Sequence, residues 1–178
     1  MVSKFFGFVA VGALVALPAA SLAQFNETEG NNTFGTGNFF DRSLFSSTGA
    51  IAIDGHVGVE DVDFFLFDFF AGDYVTAFVG TGNPGLDDSV IGIFAPDGSL
   101  FDFNDDAFGL NSAWAGYITE TGRWAIAVTG FADFDFLGGH SQDFDYKLTV
   151  GLNPVPEPAT MTIMAAGLAA LAARRRKR

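Results

Sequence analysis

The chain has 178 residues, no cysteine and a formal net charge of −12. That length predicts one domain once export segments are set aside. The missing cysteines exclude a disulfide framework, and the acidic balance excludes nucleic acid and anionic lipid as natural partners.

Residues 1–23 carry the pattern of a cleaved secretion signal. Lys4 and the free amino terminus give a positive start, Phe5 to Leu17 an apolar run, and Pro18 a break. Ser21-Leu22-Ala23 then places small residues at the two positions a signal peptidase reads, so cleavage is expected before Gln24. The run is too short to span a bilayer and polar sequence follows at once, which separates a signal helix from a membrane anchor.

An N-terminal arm, 24–48, follows. It contains the first of three oxygen-rich clusters, Glu27-Thr28-Glu29-Gly30-Asn31-Asn32. From Glu27 to Glu157 the chain holds all 21 acidic residues against only Arg42, Arg123 and Lys147, a net −18. Such a surface attracts cations, and it also keeps a Phe-rich β-protein soluble.

Between 49 and 151 short β-rich runs alternate with turn signals. Strands are expected near 49–57, 62–70, 73–81, 88–95, 99–103, 112–119, 123–130 and 143–151. Ala71-Gly72-Asp73, Pro96-Asp97-Gly98 and Glu120-Thr121-Gly122 are the clearest turns. Eight strands at this spacing predict two packed antiparallel sheets. In Asp61-Val62-Asp63-Phe64-Phe65-Leu66-Phe67-Asp68-Phe69-Phe70, alternation sends Phe64 and Leu66 to one face and Phe65, Phe67 and Phe69 to the other. Both faces are apolar, so this strand should lie inside a sheet and be covered on each side, with the Asp residues at its ends as gatekeepers.

In order along the chain come Asp61-Val62-Asp63-Phe64-Phe65, Ala71-Gly72-Asp73, Phe94-Ala95-Pro96-Asp97-Gly98, Asn104-Asp105-Asp106 and Thr121-Gly122-Arg123-Trp124-Ala125-Ile126-Ala127-Val128. The series resembles the bacterial pre-peptidase C-terminal domain. The resemblance implies a jelly-roll-like β-sandwich over 49–151. Arg123-Trp124-Ala125 departs from the usual Thr-Tyr-Tyr-type sequence, and the peptidase beside which such domains often sit has no counterpart here.

The chemistry-bearing residues are acids. His56 and His140 lie near glycines in expected turns and read as surface histidines, and no Gly-x-Ser-x-Gly elbow or two-histidine zinc spacing accompanies them. Pairs of carboxylates suited to glycoside hydrolysis arise by density alone among so many acids. No catalytic residue is assigned. Calcium, which takes six to eight oxygens, is the better match. The second and third clusters are Glu60-Asp61-Val62-Asp63 and Asp102-Phe103-Asn104-Asp105-Asp106; the third is no EF-hand, because Ala107 stands where glycine is needed. Glu-x-Glu-x-Asn in the arm resembles the calcium arm of collagen-binding domains. That resemblance implies Glu27, Glu29, Asn31, Asp61 and Asp63 as ligands. A solvated, mobile arm with gatekeeper acids at a strand end fits the same residues.

Residues 152–158, Leu-Asn-Pro-Val-Pro-Glu-Pro, form an extended linker, since its prolines exclude helix and inner strand. Ala159 to Ala173 is uncharged, and Arg174-Arg175-Arg176-Lys177-Arg178 ends the chain. Fifteen helical residues cover about 22 Å, short of the roughly 30 Å hydrocarbon core, so 159–178 predicts a single weak transmembrane helix with a basic cytoplasmic anchor. Val155-Pro156-Glu157-Pro158, the apolar stretch and the basic end together resemble the PEP-CTERM sorting signal of Gram-negative bacteria. The resemblance implies a transient membrane anchor, processing by an exosortase, and a host that makes exopolysaccharide. The expectation is an exported, non-catalytic, calcium-stabilised module serving in matrix binding or structure; a secreted hydrolase or accessory domain is the alternative.

Overall fold

The Phe-rich run around residue 65 organises the molecule. Asp63–Phe69 is a strand (β4) lying between two others, and alternation sets its two faces to different tasks. Phe65, Phe67 and Phe69 enter the interior between two sheets. Phe64 and Leu66 face the other way, into a second apolar cluster with Val62, Val90, Phe94, Ala125, Ala127 and Phe136. The inner strand expected from sequence is therefore covered on both faces, and the covering of its outer face comes from loop residue Phe136 and from Phe34 of the arm.

The computed structural model describes residues 22–155, with residues 164 and 166. In chain order the other strands are β1 (Ala23–Asn26), β2 (Asn38–Phe40), β3 (Ala50–Val57), β5 (Tyr74–Thr81), β6 (Ser89–Phe94), β7 (Leu100–Asn104), β8 (Ala113–Tyr117), β9 (Gly122–Gly130) and β10 (Phe144–Asn153). One five-stranded sheet runs β1-β3-β10-β5-β8 and the other β2-β4-β9-β6-β7. Without β1 and β2, the orders β3-β10-β5-β8 and β4-β9-β6-β7 are those of a jelly roll. Ile51, Ile53, Val79, Leu148 and Val150 from one sheet meet Phe65, Ile91, Trp124, Ile126 and Val128 from the other, all essentially without exposure.

All eight expected strands are present, and every end lies within two residues of its expected place. Two features differ from expectation. The arm 24–48 adds a strand to each sheet and a 3-10 turn, Arg42–Phe45, whose Ser43 amide is capped by the Asp41 carboxylate. The sheets are also mixed, not purely antiparallel: β1 pairs with β3, and β2 with β4, in parallel. Phe40 explains the attachment of β2, because its ring stacks on Phe67 at 5.8 Å in the interior.

The expected signal helix lies outside the described residues except at positions 22 and 23. The expected transmembrane helix, Pro156, Glu157, Pro158 and the basic residues Arg174, Arg175, Arg176, Lys177 and Arg178 lie outside them too. Among the described residues no helix is long and apolar enough to cross a membrane.

Candidate metal centre

The parity that buries Phe65 also buries Asp63. The two residues share a face of β4, so the carboxylate at the strand's start points into one end of the sandwich and is fully buried. Its Oδ2 accepts a hydrogen bond from the Tyr146 hydroxyl at 2.8 Å, while its Oδ1 has no partner. Tyr146 comes from β10, where alternation places Phe144, Tyr146, Leu148 and Val150 on the interior face.

Tyr146 reaches Asp63 because its register partner on β3 is Gly55. A Cβ at position 55 would stand 2.4 Å from the tyrosine ring and 2.8 Å from Glu27 Oε2. Glycine there leaves room for the ring and the arm's carboxylate together.

The arm brings the remaining oxygens. Past β1, Glu27 continues the ladder by donating its amide to the Asp54 carbonyl at 2.9 Å. Asn38 closes the loop beyond: its Oδ1 accepts the Thr28 amide at 2.7 Å and its Nδ2 donates to the Thr28 carbonyl at 2.9 Å. The Asn31 carbonyl accepts the Phe64 amide at 2.9 Å, which docks the loop on the start of β4. Asn31 is fully buried, and neither its Oδ1 nor its Nδ2 has a partner. Carboxylate oxygens of Glu29, Asp61 and Asp63 lie within 4.8 Å of one another.

Of the five residues singled out from sequence, these three acids converge, and Asn31 is buried in the loop that carries Glu29. Glu27 has another task. Its Oε1 accepts the His56 backbone amide, and its Oε2 lies 3.1 Å from the Tyr146 hydroxyl, so it braces the tyrosine. The 102–106 acids serve local structure: Asp102 accepts the Trp114 indole N–H at 2.8 Å, and Asp105 the Asp106 amide.

Electrostatics at this end of the sandwich favour a cation. Burial, then the neighbouring charge of Glu27, pushes the Asp63 carboxyl up to about 9. Burial raises Glu27 as well, against hydrogen bonds with the His56 amide and the Asp63 carboxyl that lower it. Buried polar atoms are nearly always paired, so the orphaned Asp63 Oδ1 and Asn31 amide are exceptions that need a partner. The donors are all oxygens, with no thiol or imidazole in the triad, and that suits a hard divalent ion. Glu29, Asp61 and Asp63 would hold it, with Asn31 beside them.

Three supporting residues were not found from sequence. The Asp61 carbonyl lies 3.0 Å from the Thr129 hydroxyl and 2.7 Å from His140 Nε2. His140 is buried, unlike the surface histidine expected, and its Nδ1 accepts the Gln142 amide at 3.1 Å, which leaves Nε2 as the donor to Asp61. Tyr146 is the third. Tyr146→Phe should cost about 1 kcal/mol of stability and weaken calcium binding, because Asp63 loses its donor. Melts with and without calcium measure both.

Comparison with known proteins agrees with the fold and with the tail. Residues 154–177 match the PEP-CTERM protein-sorting motif. No curated protein matches the chain in sequence. The chain is similar in structure to PliG of Aeromonas hydrophila, a periplasmic inhibitor of g-type lysozyme, with 14% identity, 74% of this chain and 100% of that chain covered, and a TM-score of 0.50. It is also similar to the pre-peptidase C-terminal domain of a Bacillus anthracis collagenase, with 14% identity, coverage of 64% and 93%, and a TM-score of 0.46. PliG of Salmonella Typhimurium gives 11% identity, coverage of 66% and 100%, and a TM-score of 0.46. At these identities the likeness is one of fold. The sorting motif marks an exported protein sorted to the cell surface, and it implies processing by an exosortase.

Proposed function

We propose that the chain is an exported, non-catalytic β-sandwich module, released at the surface or into an extracellular matrix by an exosortase and braced by calcium at Glu29, Asp61 and Asp63. The observation that carries the calcium reading is the buried, half-unpaired Asp63 facing two further carboxylates, Glu29 from the arm loop and Asp61 from the approach to β4. The ion joins the arm to the start of β4 and so ties both sheets together at one end. The non-catalytic reading is supported at His140, the histidine beside Ser141: both ring nitrogens are engaged with backbone groups, so His140 has no free nitrogen with which to activate Ser141. The matrix role rests on export to the surface; retention of the purified protein on matrix polysaccharides, assayed alongside turnover, tests it against the hydrolase alternative.

The sorting half of the proposal has its own test. Mass spectrometry of the mature surface protein should find Arg174 to Arg178 missing, and deletion of 155–178 should release the module without membrane retention. Recovery of the intact basic end on the surface form would overturn the processing step.

A further inference from the structure

The stem of the sorting motif is gripped by a buried carboxylate. Asp73 sits in the Ala71-Gly72-Asp73 turn between β4 and β5 and is fully buried. Its backbone is fixed on both sides: its amide donates to the Phe70 carbonyl at 3.0 Å, and its carbonyl accepts the Ile118 amide at 2.8 Å. The carboxylate takes donors from three separate segments. Arg42, on the arm's 3-10 turn, offers both guanidinium nitrogens, one of them at 3.0 Å. The Phe70 amide donates at 2.8 Å and the Val155 amide at 2.9 Å. Arg42 is itself held over the Phe70 ring at 4.3 Å. Gly72, with φ +93, lets the turn close, and the Val155 side chain packs over it, 3.6 Å from where a Cβ would stand.

The sequence makes Val155 the natural point of attachment. Pro154, Pro156 and Pro158 carry no N–H, so within 154–158 only Val155 and Glu157 have a backbone donor. The fold uses the first of these, one residue ahead of the Pro-Glu-Pro segment.

We propose that Asp73, oriented by Arg42, is a positioning residue for removal of the sorting tail: it clamps Val155 to the folded sandwich. An enzyme that binds its substrate as an extended strand needs the residues upstream of Pro156, and it reaches them only when the Val155–Asp73 contact opens. The clamp thus withholds the site while the sandwich is closed and sets the rate at which the tail is released. This rests on the reading that an exosortase removes the tail.

The test uses the full chain in a host that processes such tails. Asp73→Asn weakens the grip while keeping the side-chain shape. Arg42→Gln removes the guanidinium that orients Asp73 and leaves the sorting motif and the Val155 amide intact, so it serves if Asp73→Asn misfolds. Hydrogen exchange at the Val155 amide of the unprocessed protein should be slowed in the parent and about tenfold faster in Asp73→Asn, the effect of losing one charge-assisted hydrogen bond. The Leu152 amide, bonded to the Gly49 carbonyl, should keep its protection, which a general loss of stability would not allow. Pulse-chase of tail removal should quicken by a similar factor in both variants. Exchange at Val155 as fast as in a free peptide, or equal removal rates in parent and both variants, overturns the clamp. A parent tail that is never removed overturns the sorting reading itself, while exchange at Val155 continues to report on the contact.

Discussion

In chelator, the melting temperature of the segment from Gln24 to Val155 should fall as pH rises from 5 to 9, and calcium should abolish that fall. Asp63 carries the argument. Its folded carboxyl is raised to about 9, whereas an unfolded aspartate titrates near pH 3.9. Between those values the folded state holds a proton that the unfolded state has released, so stability is lost as pH rises through the window. Glu27, raised in the same direction, adds to the loss. Ordinary surface carboxylates are already ionised above pH 5, so the repulsion of an acidic surface does not produce this slope.

A divalent ion replaces the proton as the partner of Asp63 and reverses the balance at high pH. At a hundredfold excess over its dissociation constant it adds about 2.7 kcal/mol, and for a domain of this size the melting shift is on the order of 5 to 10 °C. Magnesium should do less, since it dehydrates reluctantly and demands a tighter octahedron. Identical melts in chelator, calcium and magnesium at pH 8 and matched ionic strength would sink the site.

Asp63→Asn should have two opposite effects. At pH 8 in chelator the variant should melt higher than the parent, because no buried carboxyl has to be neutralised. In calcium it should melt lower than the calcium-loaded parent, because the deepest ligand is gone. Removing a buried charge with an incomplete set of partners is often stabilising, whereas removing one member of a satisfied set is costly. The variant also isolates Asp63 from His56. That exposed histidine, raised by its hydrogen bond to Asp145, destabilises the fold in the same direction as pH climbs through its own range. The slope left in Asp63→Asn belongs to His56 and to the other raised carboxyls, Glu27, Asp88 and Asp135. A variant that melts lower in chelator and still responds to calcium would assign the ion elsewhere.

The eight longer strands were legible because turn signals separate β-rich runs, with clear period-two alternation in β5 and β10, and β4 disclosed both of its faces. The arm was opaque for a physical reason. Ala23–Asn26 and Asn38–Phe40 hold four and three residues, too few to show a period, and they become strands only by pairing with β3 and β4 across long loops. Asp61 and Asp63 stood out as acids leading an apolar strand. Tyr146 did not, because its place opposite Gly55 and above Asp63 depends on the β10–β3 register, which no local pattern encodes. His140 misled for a related reason. Gly138-Gly139 ahead of it signals an exposed turn, yet the loop folds back, with Asp133 accepting the Leu137 and Gly138 amides, and delivers the imidazole to the Asp61 carbonyl.

The chain leaves the sandwich through β10, and β10 is the middle strand of its sheet, paired antiparallel over eight residues with β3 on one side and eight with β5 on the other. While the tail is still attached, any pull between membrane and body travels along the axis of that strand. Both ladders are then loaded in shear, so their hydrogen bonds must fail together and not one after another as in an unzipping edge. A tether placed on β1 or β8 would load only one ladder. Placed on β10, it makes the anchored form mechanically stiff, and its weak point under tension lies beyond the sandwich, in the linker that is to be cut.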